Sequence, residues 1–422
     1  MGTHIHLGTS ESITRKTVAA LVLVVAFAAG GCFSSVAAEA NQQAAPGTIL
    51  APDHDRQAPH IGDALVVAPP LAKLSAALTT TAIDAAVRKV GNWQLDYSEK
   101  YFTRDWTFAA LYTGILAAGR TLPEARYQNA MVDVGNKFNW QLQPMPPQAD
   151  DPADFHAVGQ TYLDLYGIYR QKKMMMPTKE AFDAMMKAPD VPGKPVWWWC
   201  DALFMGPPTW ARLYRATGNR AYLDYMDREF WITSKLLYRP QEHLYSRDAT
   251  FLNARSKNGQ LVFWSRGNGW VMAGIARTLD DMPKDYPSRP KYVEQFKQMA
   301  SRIATLQGTD GLWRTDLLDP AAYPSPEVSG SAFYVYALAW GINRGILDRA
   351  TYLPVVKKGW QGLLSHVYQD GRLGSIQAVG AAPEVVPPTS SYVYGVGAFL
   401  LAGSELHRMA EHAAANQPAA AF

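Results

Sequence analysis

Leu213-Tyr-Arg-Ala-Thr-Gly-Asn-Arg-Ala-Tyr222 reads as the turn of a helical hairpin. One helix ends at Gly218, a residue suited to the left-handed C-terminal cap, and the next begins near Asn219 with an early aromatic. The theme recurs. Gly341-Ile-Asn-Arg-Gly345 leads into Leu347-Asp-Arg-Ala-Thr-Tyr352, and Leu122-Pro-Glu-Ala-Arg-Tyr127 follows another short connection. Outward from these turns, apolar residues recur at helical spacing over 75–94, 105–118, 124–140, 153–170, 177–187, 201–216, 219–235, 266–282, 289–307, 329–346, 349–365 and 392–412. Strand-like alternation is sparse. These segments pair into six hairpins and predict an all-α fold, an (α/α)6 barrel over 75–412. The rival architecture is an irregular α-solenoid, whose repeats would be more alike.

The chain has 422 residues, 48% hydrophobic and 18% charged, enough for a large core. Its 13 Trp and 21 Tyr can fill that core, and they also offer flat faces on which sugar rings stack. A formal net charge of +3 without a dense basic block gives no nucleic-acid footprint. Arg15 and Lys16 precede an apolar run, Val18 to Ala29, and small residues at Ala38 and Ala40 fit cleavage before Asn41. Residues 1–40 therefore read as an export signal and 41–74 as a linker or disordered tail, with a second disordered tail at 413–422. The apolar run is too short for a mature membrane span. A periplasmic or secreted protein is expected, with lipidation at Cys32 as the alternative route. Cys32 and Cys200 are the only cysteines, which excludes a disulfide framework and a cysteine zinc site. Cys200, beside Trp197 to Trp199, reads as a buried inert thiol.

In a helical toroid, polar or aromatic groups at inner-helix starts are the candidates for function. Asp201 lies where Trp197 to Trp199 give way to an apolar helix. Bulky apolar neighbours would raise its pKa and favour the protonated form that acid catalysis needs, although aspartate is equally at home as an N-cap. Asp154, in Asp151-Pro-Ala-Asp-Phe-His156, also starts a helix. Paired carboxylates are common glycosidic equipment. His156 can reach the same pocket or be structural. In Trp264-Ser-Arg-Gly-Asn-Gly-Trp270, Arg266 lies between two indoles and suits a carboxylate. Arg247 and Asp248 are either a surface pair or pocket groups. Glu327 and Ser329 fit a helix cap and a pocket rim alike. Trp106 and Trp199 complete the aromatic set. The chain has no phosphate loop, dinucleotide fingerprint, zinc-protease motif, EF-hand or nucleophile elbow. Cofactor-free acid–base chemistry is the expectation.

Trp199-Cys-Asp-Ala-Leu-Phe-Met205, Trp264-Ser-Arg-Gly-Asn-Gly-Trp270, Pro326-Glu-Val-Ser-Gly-Ser-Ala332 and Gly397-Ala-Phe-Leu-Leu-Ala402, in this order, resemble the unsaturated glucuronyl and rhamnogalacturonyl hydrolases of glycoside hydrolase families 88 and 105, more closely family 105. The resemblance spans roughly 75–410 and implies an (α/α)6 barrel. It implies that Asp201 is general acid and base, that Asp154 is the second pocket carboxylate, and that Arg266 and Trp270 lie near the substrate. The family often carries a histidine where this chain has Arg247. The implied substrate is an oligosaccharide ending in a 4-deoxy-4,5-unsaturated uronic acid, with a rhamnogalacturonyl product of pectin breakdown first and an ulvan-type glucuronyl product as the alternative.

Three other functions fit a helical barrel with a Trp-lined pit. A saturated-glycoside hydrolase is one; a sugar epimerase is another, which would place histidines in the pocket. An exported carbohydrate-binding protein would leave its ligand unchanged. A purely structural toroid would have no use for charged groups inside apolar motifs.

Overall fold

A computed structural model describes residues 62–415, apart from 148, 150, 189–192 and 194. The export-signal and Cys32 readings fall outside these residues.

The helices follow in chain order: α1 (Thr80–Ser98), α2 (Trp106–Thr121), α3 (Ala125–Lys137), α4 (Ala153–His156), α5 (Gly159–Tyr169), α6 (Met176–Lys187), α7 (Ala202–Met205), α8 (Pro207–Thr217) and α9 (Ala221–Leu237). After a two-residue hairpin, β1 (Tyr238–Arg239) with β2 (Leu244–Tyr245), come α10 (Ser265–Asp281), α11 (Arg289–Thr305), α12 (Val328–Asn343), α13 (Arg349–Leu364) and α14 (Val393–Ala415). Each expected segment is helical, but two are broken. The stretch 153–170 splits between α4 and α5, and 201–216 splits at Gly206, because Pro207 and Pro208 favour the first turn of a new helix. The last helix runs to Ala415, past the expected end at 412.

The helices form two rings. Helices α2, α5, α8, α10, α12 and α14 touch in a closed circuit, with α14 returning to α2. Their sequences explain this placement: α12 is buried along Val328 to Ile342, with no polar stripe to show to water. Close approach is bought by glycine in places; a Cβ at Gly114 of α2 would meet the Gly397 carbonyl oxygen of α14 at 2.3 Å. The outer helices are amphipathic. In α3 only Tyr127, Ala130, Met131, Val134 and Gly135 are buried, a single stripe at helical spacing. Five of the inner helices, α2, α5, α8, α10 and α12, are each followed by an outer one that runs back, so their N-termini share one end. Gly218 caps α8 at φ 72° as its sequence predicts. This is the (α/α)6 toroid.

The interior beyond that end is closed by charge. Arg212 Nε lies 3.1 Å from Asp164, Arg215 Nη1 donates to Asp281 at 2.6 Å, and Arg277 Nε donates to Gln160 at 2.8 Å. Burial would raise the Asp164 carboxyl, but Arg212, Arg120, Arg215 and Arg277 reverse this and hold it well below the usual range. Residues 62–74, grouped with the linker by their composition, instead join the folded unit. Arg372 reaches the Asp63 carbonyl, and Ala72 N donates to the Val367 carbonyl at 2.8 Å. Among the described residues, no helix is long and apolar enough to cross a membrane.

Candidate active site

The inner N-termini carry nearly all the residues singled out by sequence. Trp106 opens α2, Asp154 lies in α4 just ahead of α5, Asp201 precedes α7, Trp264 and Arg266 open α10, Glu327 and Ser329 open α12, and Tyr394 opens α14. Burial divides them. Trp106, Asp154, Trp199, Asp201 and Arg247 each keep part of their surface open. Arg266, Trp264, Trp270, Glu327 and Ser329 are at most 2% exposed and form the support beneath.

Asp201 occupies the N-cap position of α7, but its side chain makes no cap bond. The capping reading therefore falls. The carboxyl instead accepts a hydrogen bond from the Cys200 thiol at 3.1 Å. Its placement comes from an antiparallel contact of Trp199 with Asp248, in which Cys200 N donates to the Arg247 carbonyl at 2.8 Å. The same contact sets the Arg247 guanidinium over Trp198 and Trp199, at 5.7 and 5.6 Å from their rings, with Nη1 donating to Asp248 at 2.5 Å. Arg247 and Asp248 are thus a largely enclosed pair beside the carboxyl, with only Arg247 partly open, and not a surface pair. Burial raises the Asp201 pKa, while Arg247, the Cys200 thiol and Arg266 restrain the rise.

Asp154 also caps nothing. Asp151, a residue the sequence reading did not single out, accepts from Ala153 N at 2.7 Å and from Trp198 N at 3.3 Å, tying the two carboxylate loops together. Burial, then the nearby carboxylates Asp151, Asp105 and Asp201, push Asp154 well above the usual carboxylate range. The two carboxyls differ for a physical reason: cations and a thiol attend Asp201, whereas acids crowd Asp154. The upward push is therefore the stronger at Asp154.

Arg266 does not sit between Trp264 and Trp270. Its guanidinium lies between Trp264 and Tyr394, 4.5 and 4.8 Å from their rings. Nη1 donates to the Gln377 carbonyl and Nη2 to the Ala378 carbonyl, both at 2.8 Å. The fork is committed to backbone and is not free to clamp a sugar carboxylate. Trp264 Nε1 donates to Gln377 Oε1 at 2.9 Å, and Tyr394 OH donates to the Gln377 carbonyl at 2.5 Å. Trp270 packs instead against Phe204 and Phe333, at 4.7 and 4.3 Å. Trp106 stacks on Tyr394 at 5.5 Å and meets Trp270 edge-on.

Glu327 resolves to a cap. Its carboxylate accepts from Ser329 N at 3.0 Å, Gly330 N at 2.6 Å and Gln377 N at 3.2 Å, and the Ser329 hydroxyl donates to it as well. His156 is not brought to the group either; its ring lies 4.9 Å from Phe182 of α6. Burial lowers its pKa from 6.5 to about 4. The unfolded chain therefore binds a proton that the folded chain refuses. Stability is present above pH 6.5 and is lost as pH falls towards about 4. His156→Gln is expected to flatten this acid limb by about 3 kcal/mol, read from urea midpoints across that range.

Comparison with known proteins agrees with this architecture. The sequence model of Glycosyl Hydrolase Family 88 matches residues 82–410. The chain is 40% identical over 355 residues to an unsaturated 3S-rhamnoglycuronyl hydrolase of Formosa agariphila, covering 79% of this chain and 93% of that protein. It is 35% identical to a protein of the same name from an Alteromonas species, covering 77% of this chain and 86% of the relative. A solved family 88 glycosyl hydrolase from Bacteroides vulgatus superposes with a TM-score of 0.73 at 30% identity, over 78% of this chain and 99% of that one. A family 105 candidate from Salmonella enterica, 19% identical, shares the fold with a TM-score of 0.66 over 78% of this chain and 95% of that one. With the family's sequence model spanning most of its length, this chain belongs to Glycosyl Hydrolase Family 88.

Proposed function

We propose that this hydrolase removes a 4-deoxy-4,5-unsaturated uronic acid from the non-reducing end of a lyase-generated oligosaccharide, with rhamnose as the leaving sugar. The observation that carries the reading is Asp201: a partly open, protonatable carboxyl flanked by Arg247 and held by Cys200. The names of the Formosa and Alteromonas proteins favour a rhamnoglycuronyl substrate over the rhamnogalacturonyl product of pectin. A relative named for rhamnogalacturonyl hydrolysis, from Bacillus subtilis, matches only 43% of the chain at 29% identity.

The chemistry follows from the substrate's enol ether. Protonated Asp201 gives its proton to C4, and positive charge develops at C5 and the ring oxygen. The carboxylate so formed takes a proton from water as the water oxygen bonds to C5. The product is a hemiketal; its ring opens to leave a hemiacetal at C1, whose glycosidic C–O bond breaks to release the leaving sugar. One water is consumed and no sugar–enzyme bond forms. Arg247 attracts the substrate carboxylate and steadies the ionised Asp201 after proton transfer. Trp106 and Trp199 offer ring faces to the sugar. Asp154, holding its proton, donates a hydrogen bond to a substrate oxygen.

The test is loss of ultraviolet absorbance from the conjugated double bond, using an unsaturated rhamnose-linked uronyl disaccharide. Release of rhamnose in step with that loss supports the reading; an unchanged disaccharide under both assays sinks it. Export belongs to the same proposal, since lyase products of large polymers arise outside the cytoplasm. Expression of the full chain in a bacterial host should give a periplasmic protein whose N-terminus begins at Asn41. An acylated Cys32 would point to the lipoprotein route, and an intact Met1 would overturn export.

A further inference from the structure

We propose that Cys200 is a positioning residue, whose thiol fixes the Asp201 carboxyl and leaves Oδ2 as the oxygen that delivers the proton. The inference rests on Asp201 being the proton donor. The thiol, fully buried, donates to Asp201 Oδ1 at 3.1 Å. No other hydrogen bond engages this carboxyl among the described residues.

The thiol is held from both sides. Its own backbone is pinned by the Cys200 N to Arg247 carbonyl bond at 2.8 Å. Opposite, the first turn of α10 carries Gly267, where a Cβ would lie 3.0 Å from the Cys200 sulfur, 3.1 Å from the Trp264 ring and 3.5 Å from Asp201 Oδ1. The glycine therefore lets the start of α10 close over the pair. This explains a glycine inside a helix at a position where φ does not require one. A volume-filling thiol has no reason to point at one carboxyl oxygen; a donor does. Burial and the Asp201 charge also keep the thiol protonated, so it remains a donor when Asp201 ionises.

With Oδ1 engaged, torsional freedom of the carboxyl is reduced, and the proton resides on Oδ2. The thiol also favours the charged form, which assists delivery of the proton to C4, the step that leaves Asp201 as a carboxylate.

The experiment compares pH–rate profiles of the full-length protein, Cys200→Ala, Cys200→Ser and Asp201→Asn on the unsaturated rhamnose-linked disaccharide. Cys200→Ala should lower kcat about 10-fold with KM little changed. Its alkaline fall in rate should move to higher pH, because ionised Asp201 has lost a donor. Cys200→Ser, which restores a donor, should recover most of kcat and return the alkaline limb to the wild-type position or below it. Equal losses in both variants with a wild-type profile would show mere packing and overturn the proposal. So would a Cys200→Ala protein with unchanged kcat and profile. Near-normal turnover in Asp201→Asn would instead overturn the proton-donor reading, whatever Cys200 does. Should Cys200→Ala fail to fold, a Cys32→Ser background leaves one thiol whose S–H infrared stretch reports the bond directly. That band should shift as Asp201 titrates, and a band indifferent to pH would overturn the proposal.

Discussion

Asp201→Asn is expected to lower kcat on the unsaturated disaccharide by about 10³- to 10⁴-fold, with little change in KM or stability. The size follows from the residue's double role. In the proposed mechanism the same carboxyl gives the proton to C4 and afterwards takes one from water, and an amide does neither. The amide is nonetheless an isostere, and its oxygen can still accept from the Cys200 thiol. The binding proposed for Arg247 and the Trp106 and Trp199 rings does not involve the substituted group. The wild-type pH profile has a defined sign. Burial, offset only in part by Arg247, Cys200 and Arg266, leaves the Asp201 pKa raised. The active form is protonated, so kcat/KM falls as pH rises through that raised pKa, and the fall should be absent from the residual activity of Asp201→Asn. Turnover within about 10-fold of wild type, well short of a general acid's usual effect, would remove Asp201 from the chemistry.

Much of this site was legible in the sequence because its parts are local. A carboxylate at the boundary of an apolar helix, preceded by tryptophans, marks Asp201 as a candidate without knowledge of the fold. The cap at Gly218 and the proline pair at 207–208 are likewise decided by neighbours in sequence. What was hidden depends on distant partners. The fork of Arg266 ends on carbonyls more than a hundred residues away, so nothing near Trp264 or Trp270 reveals that it is already occupied. Tyr394 escaped notice because its ring faces Arg266 and Trp106, both distant in sequence. Glu327 was ambiguous for a related reason: a cap and a pocket acid have the same local signature, and only the third bond, from Gln377 N, shows the carboxylate to be fully engaged. Cys200 read as filler because a thiol's hydrogen bond leaves no mark on apolar flanking residues.

The engaged fork of Arg266 leads to the second large effect, which separates its geometry from its charge. Arg266→Lys keeps a cation between Trp264 and Tyr394, but a single ammonium cannot reproduce two parallel bonds to the carbonyls of Gln377 and Ala378. At least one of the two bonds is lost, at about 1–3 kcal/mol. Arg266→Met leaves the Ala378 carbonyl without this donor and the Gln377 carbonyl with Tyr394 OH alone, and it removes the cation from the rings, so about 3–5 kcal/mol is expected from the urea midpoint. The segment released in either case carries Gln377, which also receives Trp264 Nε1 on its side chain and donates its backbone N–H to Glu327. Loosening it therefore disturbs the starts of α10 and α12 together, and kcat should drop about 100-fold in Arg266→Met. The pH profile distinguishes the two variants. Arg266 lowers the Asp201 pKa through its charge. The lysine variant retains that charge, so its alkaline limb should stay near the wild-type position despite the lost stability. The methionine variant lacks it, so its limb should move to higher pH. If both limbs stay fixed while both proteins are destabilised, Arg266 supports the segment without tuning the acid. If Arg266→Lys is as stable as wild type, the paired carbonyl bonds are not what holds Gln377 in place.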